Sequence, residues 1–370
     1  MKNRLLFILC LFLLTFHSCE KDNLTYELEL IGEKKYINNL IPVISGHNQI
    51  RLKFSRKIGQ LEGTDEHLQL YKPEDVARDR DGNYYIVDTG NNRIQKYDKD
   101  LQYLMTFGRQ GQGPGELDQP NYIYIKDNGN IYIGNLGNNR VEVFNPDGSY
   151  NNTIKTTYVL NITDFTKRGN IVTVARNSNY ESFGDMLSNV SEAAPLVAIL
   201  DTNANILNVF GEERKYDNRM MQIFGNMYIY DSDEAGNHYV TYYYQNRIDK
   251  YSPDGTLQYY AQRALDYDET VSVQSSTEFR NKFAEGMQVD NKGRIWIQTY
   301  RRQFAAGEWD NRASIYDVFW LEVYDNNGIL LERLDCPVNS VTYLRRIIGD
   351  YVYFIDSELE MAVYEYQIIN

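Results

Sequence analysis

Short runs of alternating hydrophobic and polar residues fill most of this chain, and a polar turn follows each run. Two stretches are nearly the same: residues 82–97 read GNYYIVDTGNNRIQKY and residues 129–144 read GNIYIGNLGNNRVEVF. Strict alternation predicts half-buried β-strands, and two such strands around a polar turn predict a β-hairpin. The copies lie 47 residues apart, a period that is typical of propellers and solenoids.

Weaker copies of the hairpin recur along the chain. Their turn glycines, with the first two, are Gly82, Gly129, Gly169, Gly236, Gly293 and Gly349. The last unit has only three strands, whereas residues 49–59 alternate like an outer strand with no hairpin of its own. The pattern therefore predicts an all-β fold, a six-bladed β-propeller of four-stranded antiparallel blades. We expect the N-terminal strand to complete the last blade and close the ring, which removes an open edge.

Two flanking segments extend the repeat. Residues 72–77 (KPEDVA) precede the first copy, and residues 107–120 (FGRQGQGPGELDQP) connect the two copies. With the GN…GNNR pattern, they resemble the NHL repeat family of β-propellers over about residues 72–148. The resemblance implies the propeller fold. It also brings in a functional alternative, because some NHL-like enzymes are metal-dependent lyases that use histidines around the channel.

The N-terminus has the features of an export signal. Lys2 and Arg4 precede an apolar run over residues 5–16, and Ser18 then stands before Cys19. This arrangement resembles a bacterial lipoprotein signal with Cys19 as the lipidated first mature residue; the alternative is an ordinary secretory signal that is cut nearby. The acidic stretch that follows resembles the surface-export signal of some Gram-negative lipoproteins. The chain as a whole thus resembles NHL-like propeller lipoproteins of Gram-negative bacteria.

These observations divide the chain into a lipoprotein signal peptide (1–18), a lipidated tether and lead-in (19–46) and a six-bladed propeller (47–370). Outside the signal and the lipidation site only Cys336 remains, so the mature domain has no disulfide. No second apolar stretch has the length of a membrane span. We therefore expect an outer-membrane lipoprotein of the cell envelope, periplasmic or surface-exposed, that contacts the membrane only through its lipid.

The net charge and the positions of the histidines limit the kinds of ligand that this protein can bind. The formal net charge is −13, which argues against a nucleic-acid partner because phosphate backbones need clustered Lys and Arg. His47, His67 and His238 are far apart in the sequence and do not show the spacing of a zinc site. We expect no cofactor, unless the protein is a metal-dependent enzyme.

Long connections are unevenly distributed. Residues 176–195 and 301–317 separate the second and third strands of blades three and five, and residues 211–226 and 261–282 join consecutive blades. In up-and-down blades all four leave the same face. This face, called the loop-rich face below, is where function on a rigid scaffold is expected.

Strand ends and insertions on that face supply the candidate ligand-binding residues: Asp75, Asp88, Tyr122, Asn135, Arg176, Tyr243, Glu285, Tyr300, Arg301, Arg302, Trp309 and Asp356. Aromatic rings beside arginines and carboxylates suit polar ligands with flat faces, such as glycans and peptides; the alternative is that the loop aromatics only pack within their own loops. The repeated Asn-Arg pairs, as in Asn92-Arg93, predict a structural role in which arginine bonds carbonyls or a carboxylate of the next blade.

Two functions remain open. The first is a binding scaffold for a glycan, a peptide or an envelope protein, which the absence of a recognisable catalytic set favours. The alternative is a metal-assisted hydrolase or lyase at the channel mouth. In that case Asp75, Asp88, Glu285 and Asp356 would supply metal ligands or general bases.

Overall fold

Six antiparallel sheets form a closed ring around a central channel in a computed structural model of the protein. The fold is the six-bladed β-propeller that the sequence predicts. The structure describes residues 24–32, 34–44, 49–61, 65–155, 164–175, 195–216, 219–267, 281–305 and 307–369.

The strands are numbered in chain order. Three strands precede the first blade: β1 (Tyr26–Ile31), β2 (Lys34–Asn39) and β3 (Arg51–Ile58). Blade one contains β4 (Pro73–Arg78), β5 (Tyr84–Asp88), β6 (Arg93–Tyr97) and β7 (Tyr103–Phe107); blade two contains β8 (Pro120–Ile125), β9 (Ile131–Asn135), β10 (Arg140–Phe144) and β11 (Tyr150–Lys155); blade three contains β12 (Asp164–Phe165), β13 (Ile171–Val174), β14 (Val197–Leu200) and β15 (Ile206–Phe210).

The second half of the ring repeats this order. Blade four contains β16 (Tyr228–Ser232), β17 (His238–Tyr242), β18 (Ile248–Tyr251) and β19 (Leu257–Gln262); blade five contains β20 (Ala284–Val289), β21 (Ile295–Tyr300), β22 (Phe319–Tyr324) and β23 (Leu330–Asp335); blade six contains β24 (Thr342–Ile348), β25 (Tyr351–Asp356) and β26 (Ala362–Ile369). The short helix α1 (Arg219–Phe224) lies between blades three and four, and 3-10 turns occupy Thr89–Asn91, Leu136–Asn138 and Trp309–Ser314.

The ring closes as predicted. Strand β3 pairs antiparallel with β26, with Arg51 opposite Ile369 and Ile58 opposite Val363. The N-terminal strand is therefore the outer strand of blade six, and both ends of the propeller are held in one sheet. Closure covers an edge that would otherwise expose unpaired backbone groups.

Residues that precede the ring-closing strand are also part of the ordered structure. Strands β1 and β2 form a hairpin, and β2 adds in parallel to β19, so that the sheet of blade four has six strands. Asn39 fixes this hairpin, because its amide nitrogen donates to the carbonyls of Gln262 and Gly328, at 3.0 Å each. Its amide oxygen accepts from the Leu330 N–H at 2.8 Å. One buried side chain thus ties the hairpin to blades four and five.

The hydrophobic core consists of six clusters, one at each seam between neighbouring blades. At the seam of blades six and one, Tyr84 and Tyr353 are fully buried against aliphatic residues of both blades. Both tyrosine hydroxyls donate to the buried carboxylate of Glu365, at 2.6 and 2.9 Å. These two tyrosines thus pack between blades while their hydroxyl groups stay hydrogen-bonded.

The repeated GNNR segment is a tight turn with a structural arginine. Asn92 closes the 3-10 turn in the left-handed conformation, with φ of 52°, which asparagine tolerates better than other side chains. The Arg93 Nε donates to the Asp88 carboxylate at 2.7 Å, and its Nη2 donates to the Gln69 carbonyl. A structural role was predicted, but the expected partner was wrong: Arg93 binds its own blade and the segment before it, not the next blade. The turn lies within one hairpin, which brings Asp88 nearer than any group of the following blade.

Gly286 marks a close approach between the inner strands of blades five and six. A Cβ added there would lie 2.3 Å from the Leu344 carbonyl oxygen, a backbone atom that cannot move aside cheaply. We expect Gly286→Ala to lower the free energy of unfolding by about 2 kcal/mol through overpacking. Urea unfolding measures this change.

Gly113→Ala is the matched control, because an added Cβ there meets only the flexible end of Glu116, at 3.0 Å. Gly113→Ala should leave the free energy of unfolding nearly unchanged. Equal destabilisation by the two variants would show that the close contact of blades five and six does not matter.

Candidate functional site

Four inner strands carry a β-bulge in the half that is nearer the loop-rich face: it follows the first residue pair in three of them and the third pair in β24. The bulged residues are Glu74, Asn121, Glu285 and Arg345, on blades one, two, five and six. A bulge adds one residue to a strand and redirects the side chain at that position. Because inner strands run from the loop-rich face inwards, the bulges lie at the channel mouth on that face.

Blades six, one and two form one half of this mouth. The Arg345 guanidinium lies 4.0 Å above the centre of the Tyr122 ring, and its Nη2 donates to the Asn121 carbonyl at 2.9 Å. The Tyr343 hydroxyl donates to the Glu74 carboxylate at 2.8 Å. Burial is the main cause that raises the pKa of Glu74, while Arg345 opposes the rise. This half therefore holds a fixed cation on an aromatic ring beside a carboxyl group that takes up a proton readily.

Blades four and five form the other half. The Lys282 ammonium lies 3.2 Å from a Glu285 carboxylate oxygen, which also accepts from the Tyr300 hydroxyl at 2.8 Å. Lys282 lies 5.9 Å from the centre of the Tyr243 ring. Burial raises the pKa of Tyr243 most, and the charge of Glu285 adds to the rise. A lysine–carboxylate pair framed by tyrosines thus faces the first half.

We call these residues the mouth cluster. They are Glu74, Tyr122, Tyr243, Lys282, Glu285, Tyr300, Tyr343 and Arg345. Two carboxyl groups, two cations and four phenol rings give a site without excess charge. Apart from buried Tyr300, all of them are partly exposed. Such a set can donate and accept hydrogen bonds and stack on flat apolar surfaces.

A buried ion network lies directly below the mouth cluster. Arg346 donates two hydrogen bonds to the Asp75 carboxylate, from Nε at 2.8 Å and from Nη2 at 2.5 Å. The same guanidinium donates to Asp164, with Nη2 to Oδ1 at 2.9 Å. Asp75 further accepts the Ile123 N–H of blade two at 3.0 Å. Arg346 of blade six therefore joins blades one and three across the channel.

Beyond the network, the channel widens into a cavity of about 290 Å³ at the face of the tight turns. All six blades contribute to its wall, and Lys167 paired to Asp231 at 3.2 Å is its main polar feature besides Arg346. Arg346 and Asp164 of the ion network are part of the wall of this cavity. The sequence arguments considered only the mouth.

The structure brings four of the candidate residues together in the mouth cluster: Tyr122, Tyr243, Glu285 and Tyr300. Asp75 lies just below them, in the ion network. The remaining candidates lie away from this cluster and fall into two groups.

Three of the remaining candidates have side chains that accept backbone N–H groups of nearby turns and connections. Asp88 accepts the Tyr71 N–H at 2.7 Å in addition to Arg93, and Asn135 accepts the Asp118 N–H at 2.8 Å. Both side chains are fully buried. Asp356 accepts the N–H of Leu359 at 2.8 Å. Their contacts join strand ends to neighbouring segments.

The other candidates belong to insertions. Arg302 is held between Glu308 and Asp317, at 2.7 and 2.8 Å, and Arg301 lies 5.5 Å from the centre of the Trp320 ring at the edge of blade five. Trp309 begins a 3-10 turn. Arg176 lies outside the described residues.

Sequence reasoning missed Glu74, Lys282, Tyr343 and Arg345. A bulge shifts the strand by one residue, so alignment by alternation selected Asp75 where Glu74 reaches the mouth. Blade six was recognised from its turn glycine, which left the start of its inner strand unassigned. The adjacent arginines 345 and 346, inside an apolar strand, were the available signal.

The described residues contain no group of three or more His, Cys, Asp or Glu side chains arranged to hold a metal ion. Asp75, Asp88, Glu285 and Asp356 all belong to this part of the chain, so no three of them form such a group. Within the same residues, no helix has the length and hydrophobicity to cross a membrane.

Fold and channel together define the class of this protein, a six-bladed β-propeller with a polar channel mouth. The NHL repeat family matches residues 70–97, which contain the first three strands of blade one. The chain therefore carries an NHL repeat within a complete propeller. No curated protein matches the sequence.

Two solved structures share the fold. One is named "Putative exported protein" and comes from Bacteroides fragilis NCTC 9343; at 11% identity it has a TM-score of 0.56 and covers 90% of this chain and 99% of its own. The other is a member of the DUF4221 family from Bacteroides vulgatus, with 11% identity, a TM-score of 0.57 and coverage of 87% and 99%. At this identity the likeness establishes the fold alone.

Proposed function

We propose that this protein is a lipid-anchored binding protein of the cell envelope, which holds a polar ligand, a glycan or a peptide, in the mouth cluster. The observation that carries the proposal is the ring of bulges, which directs Glu74, Glu285 and Arg345 into one opening. Bulges that re-aim side chains are frequent at functional sites. The signal-like N-terminus with Cys19 supports the envelope location.

The composition of the mouth cluster suggests the ligand class. Its cations already have carboxylate partners: Lys282 pairs with Glu285 inside the cluster, and Arg345 pairs with Asp75 directly below it. A strongly charged ligand would leave one member of each pair unbalanced, whereas an uncharged polar ligand can bond to both. Exposed edges of tyrosine rings add stacking surface for a sugar ring or an aromatic side chain.

Loss of one carboxylate tests this assignment. We expect Glu285→Gln to weaken binding about tenfold or more, because a hydrogen bond to a charged group contributes about 1.5–3 kcal/mol. The measurement is a thermal-shift screen of the full protein with neutral oligosaccharides and short peptides. A ligand that binds only the folded protein raises its melting temperature. Calorimetric titration of each hit then gives the dissociation constant.

Glu116→Gln is the matched control. Both glutamate side chains are 24% exposed, and both pair with a cation, but Glu116 lies on the connection between blades one and two. Its replacement should leave affinity unchanged. If ligands bind and both variants bind them equally well, the ligand site is not the mouth cluster.

The same screen addresses the alternative of a metal-assisted hydrolase or lyase. Calcium, zinc or manganese alone would then raise the melting temperature, and Glu285→Gln would abolish the rise. No contact among the described residues specifically favours this alternative. A shift with metal and none with glycans or peptides would replace the binding proposal.

A further inference from the structure

Among the described residues, the edge of blade four exposes several large apolar side chains close in sequence to the predicted lipidation site. Leu28 and Leu30 project from the same side of β1 and are exposed. Thr25 accepts the N–H groups of Leu40 and Ile41, which puts exposed Leu24 and Ile41 beside each other at the start of the strand. We call Leu24, Leu28, Leu30 and Ile41 the hairpin patch.

Distance along the chain restricts where this patch can lie. Leu24 lies five positions after Cys19, and a fully extended chain of that length spans at most about 18 Å. A lipid on Cys19 would hold its own residue at the bilayer surface. Leu24 would then remain within that short distance of the lipid headgroups, and Leu28 and Leu30 follow it within one strand length, about 20 Å.

We infer that the hairpin patch rests on the lipid bilayer and fixes the orientation of the propeller. This inference depends on the proposed lipidation of Cys19. The tether brings the edge of blade four to the membrane, and apolar side chains that enter the headgroup region leave water there.

Backbone groups limit the depth of this contact. Within the described residues, no strand pairs with the outer edge of β1, so the N–H and C=O groups along that edge need water and cannot enter the hydrocarbon core. The side chains of Leu28 and Leu30 can reach the interfacial zone while the strand stays hydrated. The contact is therefore shallow and holds only because the lipid anchor keeps the patch nearby.

Charge does not drive the contact. The chain carries a net charge of −13, and Glu27 and Glu29 alternate with the leucines of β1. Attraction to anionic lipid is thus weak. The same glutamates oppose a second copy as the occupant, because antiparallel pairing of β1 with itself would place four carboxylates along one short ladder.

The inferred orientation has a consequence for the binding site. A blade edge that faces the membrane places the channel axis along the bilayer plane. The mouth cluster and the opposite cavity then both face the aqueous space, where a glycan or peptide can enter from the side.

A thiol probe tests the orientation. Leu28→Cys introduces an accessible thiol, since Cys336 is buried and Cys19 would carry the lipid. The full-length lipidated protein is labelled with an environment-sensitive fluorophore and inserted into vesicles of phosphatidylethanolamine and phosphatidylglycerol. Spin-labelled lipids should quench the probe at position 28 several-fold more than free label, and molar salt should not change this.

Leu104→Cys is the matched control. Leu104 is 47% exposed and Leu28 is 54% exposed, both on outer strands, but Leu104 belongs to blade one, opposite blade four in the ring. Its probe should remain unquenched. Equal quenching at both positions would overturn the orientation.

Mass spectrometry of the N-terminal peptide distinguishes a wrong orientation from a wrong assignment of the protein as a lipoprotein. An unquenched Leu28→Cys probe on protein with lipidated Cys19 overturns the orientation alone. Unmodified Cys19 overturns the lipoprotein and, with it, the orientation. Shielding of the probe in lipid-free detergent together with a dimer in sedimentation would identify a second copy as the occupant and also overturn the inference.

Discussion

Replacing Arg346 with alanine is expected to lower the free energy of unfolding by about 3–5 kcal/mol, because it leaves buried carboxylates without their cation. Asp75 and Asp164 are buried and depend on this guanidinium for four hydrogen bonds. Arg345 also lies 3.2 Å from Asp75, so Asp75 keeps a cation in close contact. Asp164 loses its hydrogen-bonded cation and therefore accounts for most of the lost stability. Urea unfolding at neutral pH measures the loss.

The stability that Arg346→Ala loses relative to the native protein should depend on pH. Burial is the largest cause that raises the pKa of Asp164, and Arg346 is the largest that lowers it. Without Arg346 the pKa rises further, so the folded state binds a proton more tightly than the unfolded state. Stability of the variant relative to the native protein therefore increases as pH falls from 7 towards 5.

An exposed pair provides the control. Arg80 and Asp127 lie 2.8 Å apart with 75% and 88% of their side chains exposed, and such pairs contribute about 0–1 kcal/mol. Arg80→Ala should thus be nearly neutral at every pH. Arg346→Lys keeps the charge but not the forked geometry, and we expect an intermediate loss. A loss for Arg346→Ala no larger than for Arg80→Ala would refute the structural importance of the network.

Acid should destabilise the propeller through His238. Burial lowers the pKa of this histidine from 6.5 to about 4. Its Nδ1 lies 2.6 Å from the Tyr230 hydroxyl, and the ring also bonds to the backbone of Pro253. A proline carbonyl only accepts, so the ring nitrogen that faces it carries the hydrogen. The neutral ring is thereby paired on both sides.

Proton binding determines the direction in which His238 changes stability with pH. Between pH 6.5 and 4 the unfolded chain takes up a proton at this position and the folded protein does not, so stability falls as pH falls. The difference of 2.5 pKa units corresponds to about 3 kcal/mol at 1.36 kcal/mol for each unit.

His238→Gln isolates this effect from the other groups that titrate in acid. The variant should be less stable than the native protein at pH 7, because it loses packing against Phe210, and the gap should narrow by about 3 kcal/mol at pH 4. Urea unfolding at several pH values provides the comparison. A gap that stays constant with pH would mean that His238 does not titrate in the way its burial implies.

The mouth cluster shows how far sequence reasoning reached into the site. Tyr122, Tyr243, Glu285 and Tyr300 could be chosen because strand ends on the loop-rich face follow from the up-and-down order. Glu74 and Arg345 could not, because the bulges that redirect them leave no mark in the alternation of apolar and polar residues. One inserted residue changes which side chain reaches the channel.

The hairpin of β1 and β2 is a second feature that the sequence pattern did not predict. Its residues alternate only weakly, and the sequence suggested a tether and lead-in. What orders them is the free edge of blade four and the buried hydrogen bonds of Asn39, whose partners Gln262 and Leu330 are far away in the chain.

By itself the sequence determined the propeller, its six blades and the closure of the ring. These depend on local features, namely the strand period and the turn glycines, which each repeat carries within its own residues. Only the tertiary structure decided which side chains share the channel. Asp75 and Arg346 stand 271 residues apart, and their contact exists only because the ring closes and burial forces opposite charges to pair.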